Sequence, residues 1–178
     1  MKKIIALGLL VLSTSAFAQS PNVSYSMPAV EFGFKWNSID LENSTSNKQE
    51  IGFQLGASTV FNFAPTFGLK TGLFYSERPF KADFSGTEYK GKITYFEVPA
   101  LFMFKFEDYA GVYVGPSLSV KLGDEINSPN VLKDVKGIVV PITFGAQFKF
   151  VENFGANVFF EMVPGELADG VKNSRAVG

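Results

Sequence analysis

The chain has 178 residues, among them 20 Phe and 17 Gly, with 16 basic against 17 acidic side chains and neither Cys nor His. Metal sites built on imidazole or thiolate, His general bases, Cys nucleophiles, disulfides and lipid-modified Cys are therefore excluded, since the residues they require are absent. A net charge of −1 also lacks the basic footprint of a nucleic-acid binder, so no nucleic-acid partner is expected.

Lys2 and Lys3 precede the apolar run Ile4 to Leu12 and the small-residue end Ala16-Phe17-Ala18. That order predicts a secretory signal peptide over residues 1–18, cleaved after Ala18, and a single domain over residues 19–178. The apolar core is too short to anchor the chain across about 30 Å of hydrocarbon. No later stretch reaches 18 consecutive apolar residues, so entry into a membrane requires a closed barrel.

Alternation with period two begins at Val30 to Asn37, a strand with two unlike faces. A second strand puts Ile51, Phe53, Leu55, Ala57, Thr59 and Phe61 on one side. A third runs from Phe67 to Ser76, and a fourth from about Lys92 to Phe106, with a local irregularity expected at Pro99. Gly111 to Leu122, Ile138 to Phe150 and Phe154 to Met162 complete seven strands, and Arg175 to Gly178 reads as the start of an eighth. Long links (38–50, 77–91, 123–136, 163–174) alternate with short ones (62–66, 107–110, 151–153). Long outer loops and tight periplasmic turns are how outer-membrane barrels are built, which puts the N-terminus on the periplasmic side.

One face of every strand is free of charge and rich in Phe. The opposite faces carry Glu31, Lys35, Lys70, Glu97, Lys105, Lys121, Lys149 and Glu161, together with about half of the glycines. Polarity alone does not separate inside from outside, but a face so stripped of side chains suits a narrow lumen, where glycines make room for Phe74, Tyr95, Tyr113 and Phe159. Aromatics beside the short turns (Phe61, Phe63, Phe67, Phe106, Tyr109, Phe148, Phe150, Phe154) suit a periplasmic girdle, and Trp36 and Tyr75 an outer one. Interior charges must pair: Glu31 with Lys149 or Lys105, and Glu97 with Lys35 or Lys121, are all open choices. A salt-bridged plug is expected; an excess of Lys over Glu leaves an anion-favouring pore as the alternative. No catalytic, cofactor or metal site is expected. The loop serines 44, 46 and 85 have no base beside them, and the loop carboxylates (Asp40, Glu42, Asp83, Glu88, Asp124, Glu125, Glu166, Asp169) match no calcium loop.

The segments Lys70 to Arg78, Ile93-Thr94-Tyr95-Phe96-Glu97-Val98-Pro99-Ala100-Leu101 and Tyr113-Val114-Gly115-Pro116-Ser117-Leu118 resemble the PorT-like family of outer-membrane β-barrel proteins. The likeness is strongest over residues 67–122 and implies an eight-stranded barrel of all-β, up-and-down antiparallel architecture. Some relatives are associated with secretion or gliding machinery. Tyr95, Glu97, Pro99, Gly115 and Pro116 match the family motif, and the resemblance implies a structural job for them. Family barrels close with a complete final strand, whereas this sequence stops at Arg175-Ala176-Val177-Gly178. The eighth strand thus reads as truncated, short by roughly eight to ten residues at the usual strand length.

The expected function is a structural, adhesion or interaction role in the bacterial outer membrane through the extracellular loops. Expected partners are membrane lipid and lipopolysaccharide, the barrel-assembly machinery during biogenesis, and envelope or secretion proteins. The alternatives are a narrow porin-like channel and a soluble periplasmic ligand-binding barrel.

Overall fold

A computed structural model describes residues 24–26, 28–41, 46–84, 87–107, 109–126, 135–151, 154–168 and 171–178. The signal peptide lies outside them, as do Glu42, Ser44, Ser85 and Asp169. Eight strands form the body: β1 (Ala29–Leu41), β2 (Glu50–Asn62), β3 (Phe67–Phe84), β4 (Thr87–Glu107), β5 (Ala110–Ile126), β6 (Ile142–Val151), β7 (Phe154–Val163) and β8 (Val171–Val177). Each pairs antiparallel with the next. β8 also pairs with β1, from Leu41↔Val171 to Trp36↔Val177, and the ring is closed. Short paired segments add to it: Ser24–Tyr25 extends β1 along β2, Ser46–Lys48 lies on β3, and Ile138–Val139 continues β6 along β5.

The alternation decides which side faces out. Phe32, Phe102 and Phe144 are 75%, 61% and 59% exposed, whereas Lys35 and Arg78 are 0% and 1% exposed. A water-soluble barrel would have the opposite arrangement, because burying charge while exposing rings is unfavourable in water. The lumen is filled by large side chains seated over glycines. The Tyr113 ring lies across Gly145 and the Phe74 ring across Gly56, so any Cβ at either glycine would overlap an aromatic ring.

The polarity inverts towards the outer end. On β3 the outward residues run Phe67, Leu69, Thr71, Leu73, Tyr75 and then change to Glu77, Pro79, Lys81 and Asp83. At the same level the inward side turns apolar. Ile39, Phe80, Ile93, Tyr95, Val139, Val163, Leu167, Ala168 and Val171 form one buried cluster, with Ile126 and Val135 packed against it. Inside lipid the wall is apolar outward and polar inward; beyond Glu77 it becomes a water-facing barrel with its own core.

Several boundaries differ from the expectations. β3 and β4 were expected to stop near Ser76 and Lys92, but they pair continuously to Phe84↔Thr87. The outward charge at Glu77 marks the end of the hydrocarbon, not of the strand. Pro99 causes no register shift. It leaves a gap in the β3–β4 ladder between Thr71↔Ala100 and Phe74↔Glu97, where its missing N–H removes a donor. Pro141 interrupts the sixth strand in the same way without changing its register. β8 begins at Val171, four residues before the expected start, and closes the ring along the outer half of β1.

Candidate functional site

The lumen holds the chemistry, arranged in two polar tiers. In the upper tier Lys35 (β1), Arg78 (β3), Glu97 (β4) and Glu161 (β7) meet at the barrel centre, all buried. Arg78 Nη2 lies 2.9 Å from Glu97 Oε1 and 2.7 Å from Glu161 Oε1. Lys35 Nζ lies 3.3 Å from Glu161 Oε1 and 3.7 Å from Glu97 Oε1, and donates to Ser76 Oγ at 2.8 Å. Two cations face two carboxylates, so the tier is neutral. Around it, Arg78 stacks 5.4 Å over the Tyr95 ring and Lys35 5.9 Å over Phe159.

In the lower tier Lys70 Nζ lies 2.9 Å from Glu31 Oε1 and donates to Gln147 Oε1 at 3.1 Å. Asn157 Nδ2 donates to Glu31 Oε2 at 2.8 Å, and the Ser58 hydroxyl donates to the other carboxylate oxygen. Five strands contribute to this tier. Lys70 also sits 5.1 Å over the Tyr113 ring, part of a buried apolar group with Val60, Leu101 and Met103.

The expected charged residues separate into two groups. Glu31, Lys35, Lys70, Glu97 and Glu161 meet in the tiers. Lys105 lies near the periplasmic turns, bonded to Asn62 Oδ1 at 2.5 Å. Lys121 turns to Asp124 at 2.8 Å and does not reach Glu97. Lys149 is exposed, close to the turn before β7, and its pairing with Glu31 is corrected to Lys70. With Arg78 counted, the tiers hold three cations and three carboxylates, so the expected excess of Lys is absent from the buried set. Arg78 was missed because Glu77 looked like the end of the strand. The inward parity Lys70, Gly72, Phe74, Ser76 continues to it two residues on. Ser58, Gln147 and Asn157 were missed because neutral polar residues give no charge signal.

Of the motif residues, Tyr95 and Glu97 point inward and are buried, Pro99 points inward, Pro116 points outward, and the wall at Gly115 approaches the Ala100 carbonyl too closely for a Cβ. All five are built into the wall or its filling.

A closed antiparallel ring with a charged, filled lumen and a belt of exposed Phe defines an outer-membrane β-barrel. Residues 17–162 match the family described as outer membrane protein beta-barrel domain, and the chain belongs to that family. Among solved structures it is similar to Ail, the attachment invasion locus protein of Yersinia pestis, at 16% identity and a TM-score of 0.44, over 85% of this chain and 94% of that one. No curated protein matches the chain.

Proposed function

We propose that this protein is a non-conducting, non-enzymatic barrel that presents a rigid platform at the outer surface for adhesion or interaction. The observation that carries this reading is the continuation of β3 and β4 past the lipid boundary. The eight residues from Glu77 to Phe84 add about 27 Å of strand at about 3.4 Å per residue. This extension is flanked by Ser46–Lys48 and the end of β5, and rests on the apolar outer core. Lys48, Lys81 and Lys90 surround Glu88 near the tip, with Asp83 paired opposite it, so three cations stand beside two carboxylates, favouring an anionic partner surface. Neutral polar tiers below and an apolar cap above oppose ion passage, so the pore reading gains no support.

Within the family, the Tyr95-x-Glu97-x-Pro99 and Tyr113-x-Gly115-Pro116 segments support a place among PorT-like members. Residues 1–18 serve as the cleaved export signal. Trp36 and Tyr75 lie at the outer boundary, where lipopolysaccharide is the neighbouring lipid, and the barrel-assembly machinery inserts the chain. The test replaces residues 79–92 by a two-residue turn. Cells expressing this variant are expected to keep the heat-modifiable barrel band and to lose the surface attachment that the unaltered protein confers. Attachment unchanged by the deletion would overturn the proposal.

A further inference from the structure

The register of the outer hairpin sets three lysines in one row. Lys48 lies opposite Lys81, and Lys81 opposite Lys90, on three adjacent strands. At about 4.8 Å between strands the three stems start within about 10 Å of one another. Like charges directly opposite each other destabilise a sheet, so the fold alone gains nothing from such a row. Into it leans the Glu88 carboxylate from the neighbouring row, 2.7 Å from Lys81 Nζ, 3.3 Å from Lys90 Nζ and 3.7 Å from Lys48 Nζ. The Lys81 hydrogen bond above all holds that carboxyl down at about 2, so protonation does not vacate the place near neutral pH.

The neighbouring charges do not balance the row. Asp83 stands opposite Glu88, one row further out, and Lys92, one row below, is held by Glu77 at 3.2 Å and Glu125 at 3.6 Å. Glu50 acts on Lys81 only as a weaker charge. Three ammonium groups thus converge on one carboxylate, which offers a single charge shared by two oxygens. A phosphate monoester brings a charge of about −1.5 to −2 and three acceptor oxygens, one for each ammonium. Below the row, a recess of about 260 Å³ beside Pro79, Lys90, Lys92 and Glu125 leaves room for the sugar that carries such a group.

We propose that the row Lys48, Lys81 and Lys90 is a phosphate seat, that Glu88 is its internal placeholder, and that the incoming group is a sugar phosphate of the surrounding lipopolysaccharide leaflet. The inference rests on the platform reading for the anion preference of the tip, and names the anion. Parity and height select the leaflet over a partner arriving from outside. Lys81 shares the outward parity of Tyr75 and Glu77, so the row faces sideways into the leaflet and not over the mouth of the barrel. It lies four residues beyond Glu77. At about 3.4 Å per residue and a tilt of about 40°, that is about 10 Å above the hydrocarbon, at the level of headgroups and not of acyl chains. Glu88 is exposed, so it swings into water as the phosphate takes over its three cations. The exchange moors the hairpin to the leaflet.

The test compares the unaltered protein with Glu88→Gln, Lys81→Met and Glu125→Gln, each refolded in detergent micelles and checked for heat-modifiable mobility. Inorganic phosphate is titrated at about pH 8 and low salt, where it is a dianion, and followed by phosphorus NMR. Glu88→Gln is expected to bind it roughly tenfold more tightly than the unaltered protein, and Lys81→Met to lose measurable binding. Glu125→Gln removes the same charge beside Lys92, outside the row, and is expected to change the affinity less than about twofold. No gain from Glu88→Gln, or an equal gain from Glu125→Gln, overturns the proposal, because the site is then not held by Glu88 or is only diffuse charge. The source is read in phosphatidylcholine vesicles containing either phosphorylated or dephosphorylated lipid A. Glu88→Gln is expected to retain the phosphorylated form best through a detergent wash and Lys81→Met least. Equal retention of both forms overturns the assignment to the leaflet, even with free phosphate bound. Neither readout is cell attachment, so a failure here is distinct from a failure of the platform, which the deletion of residues 79–92 reads.

Discussion

Arg78 on β3 and Glu161 on β7 touch at 2.7 Å across the full width of the barrel, since three of the eight strands lie between them in either direction around the ring. With Lys35 and Glu97 they tie four strands together at one level, in a place where a lone charge would be costly. Lys35→Met leaves the carboxylates with one cation and is expected to destabilise the barrel by about 3–5 kcal/mol. Adding Glu161→Gln to Lys35→Met is expected to recover part of that loss. Urea unfolding in micelles, followed by Trp36 fluorescence, measures both; strictly additive losses would deny the coupling.

The Tyr113 ring occupies the space that a side chain at position 145 would need. Gly145→Leu is therefore expected to cost about 1–3 kcal/mol through overpacking. Tyr113→Ala in the same chain relieves the clash, so the double variant should be more stable than the sum of the single losses predicts. The same unfolding measurement decides it.

Phe144 faces lipid at the centre of the outward-facing run from Ile138 to Phe150, paired between Val114 and Phe160. Phe144→Lys is expected to cost about 2–4 kcal/mol, while Thr94→Lys, level with Glu77 at the outer boundary, costs about 0–1 kcal/mol. Folding yield into lipid vesicles at matched urea concentrations separates the two. Equal effects would place the hydrocarbon boundary elsewhere.

At the tip of the β3–β4 hairpin the Lys81 ammonium, hydrogen-bonded to Glu88 and assisted by Lys90, holds the Glu88 carboxyl down at about 2 from the ordinary 4.5. A depressed carboxyl stabilises the folded tip above its unfolded value, and the contribution disappears as pH falls from about 4.5 through about 2. The group is solvent-exposed, so about 1 M salt should screen the interaction and return the titration towards 4.5, as should Lys81→Met. Carbon-13 spectra of the labelled carboxyl read the midpoint directly. A midpoint near 4.5 at low salt in the unaltered protein would remove the ion pair from the tip.

Much of the barrel was legible because its physics is periodic. Phe67 to Tyr75 and Phe102 to Phe106 alternate with residues that differ from them in charge and size, and only a two-faced strand accounts for that. Arg78 was hidden because parity had been read only as far as the lipid extends; Glu77 broke the apolar outward pattern where the solvent changes, not where the strand stops. Leu167 and Ala168 gave no periodic signal at all, since they fill the outer mouth from a loop.

The sequence by itself determined the architecture, the compartment and the two faces of each wall strand, because side-chain alternation records the solvent on each side of a strand. Only the tertiary structure decided which charges meet. Lys70 rather than Lys149 reaches Glu31, and Arg78 rather than Lys121 reaches Glu97, because pairing across a lumen depends on the stagger of strands far apart in the chain. It also showed how the ring closes, β8 meeting β1 from Leu41 to Trp36, since the closure of a ring is a relation between its first and last strands and not a property of either.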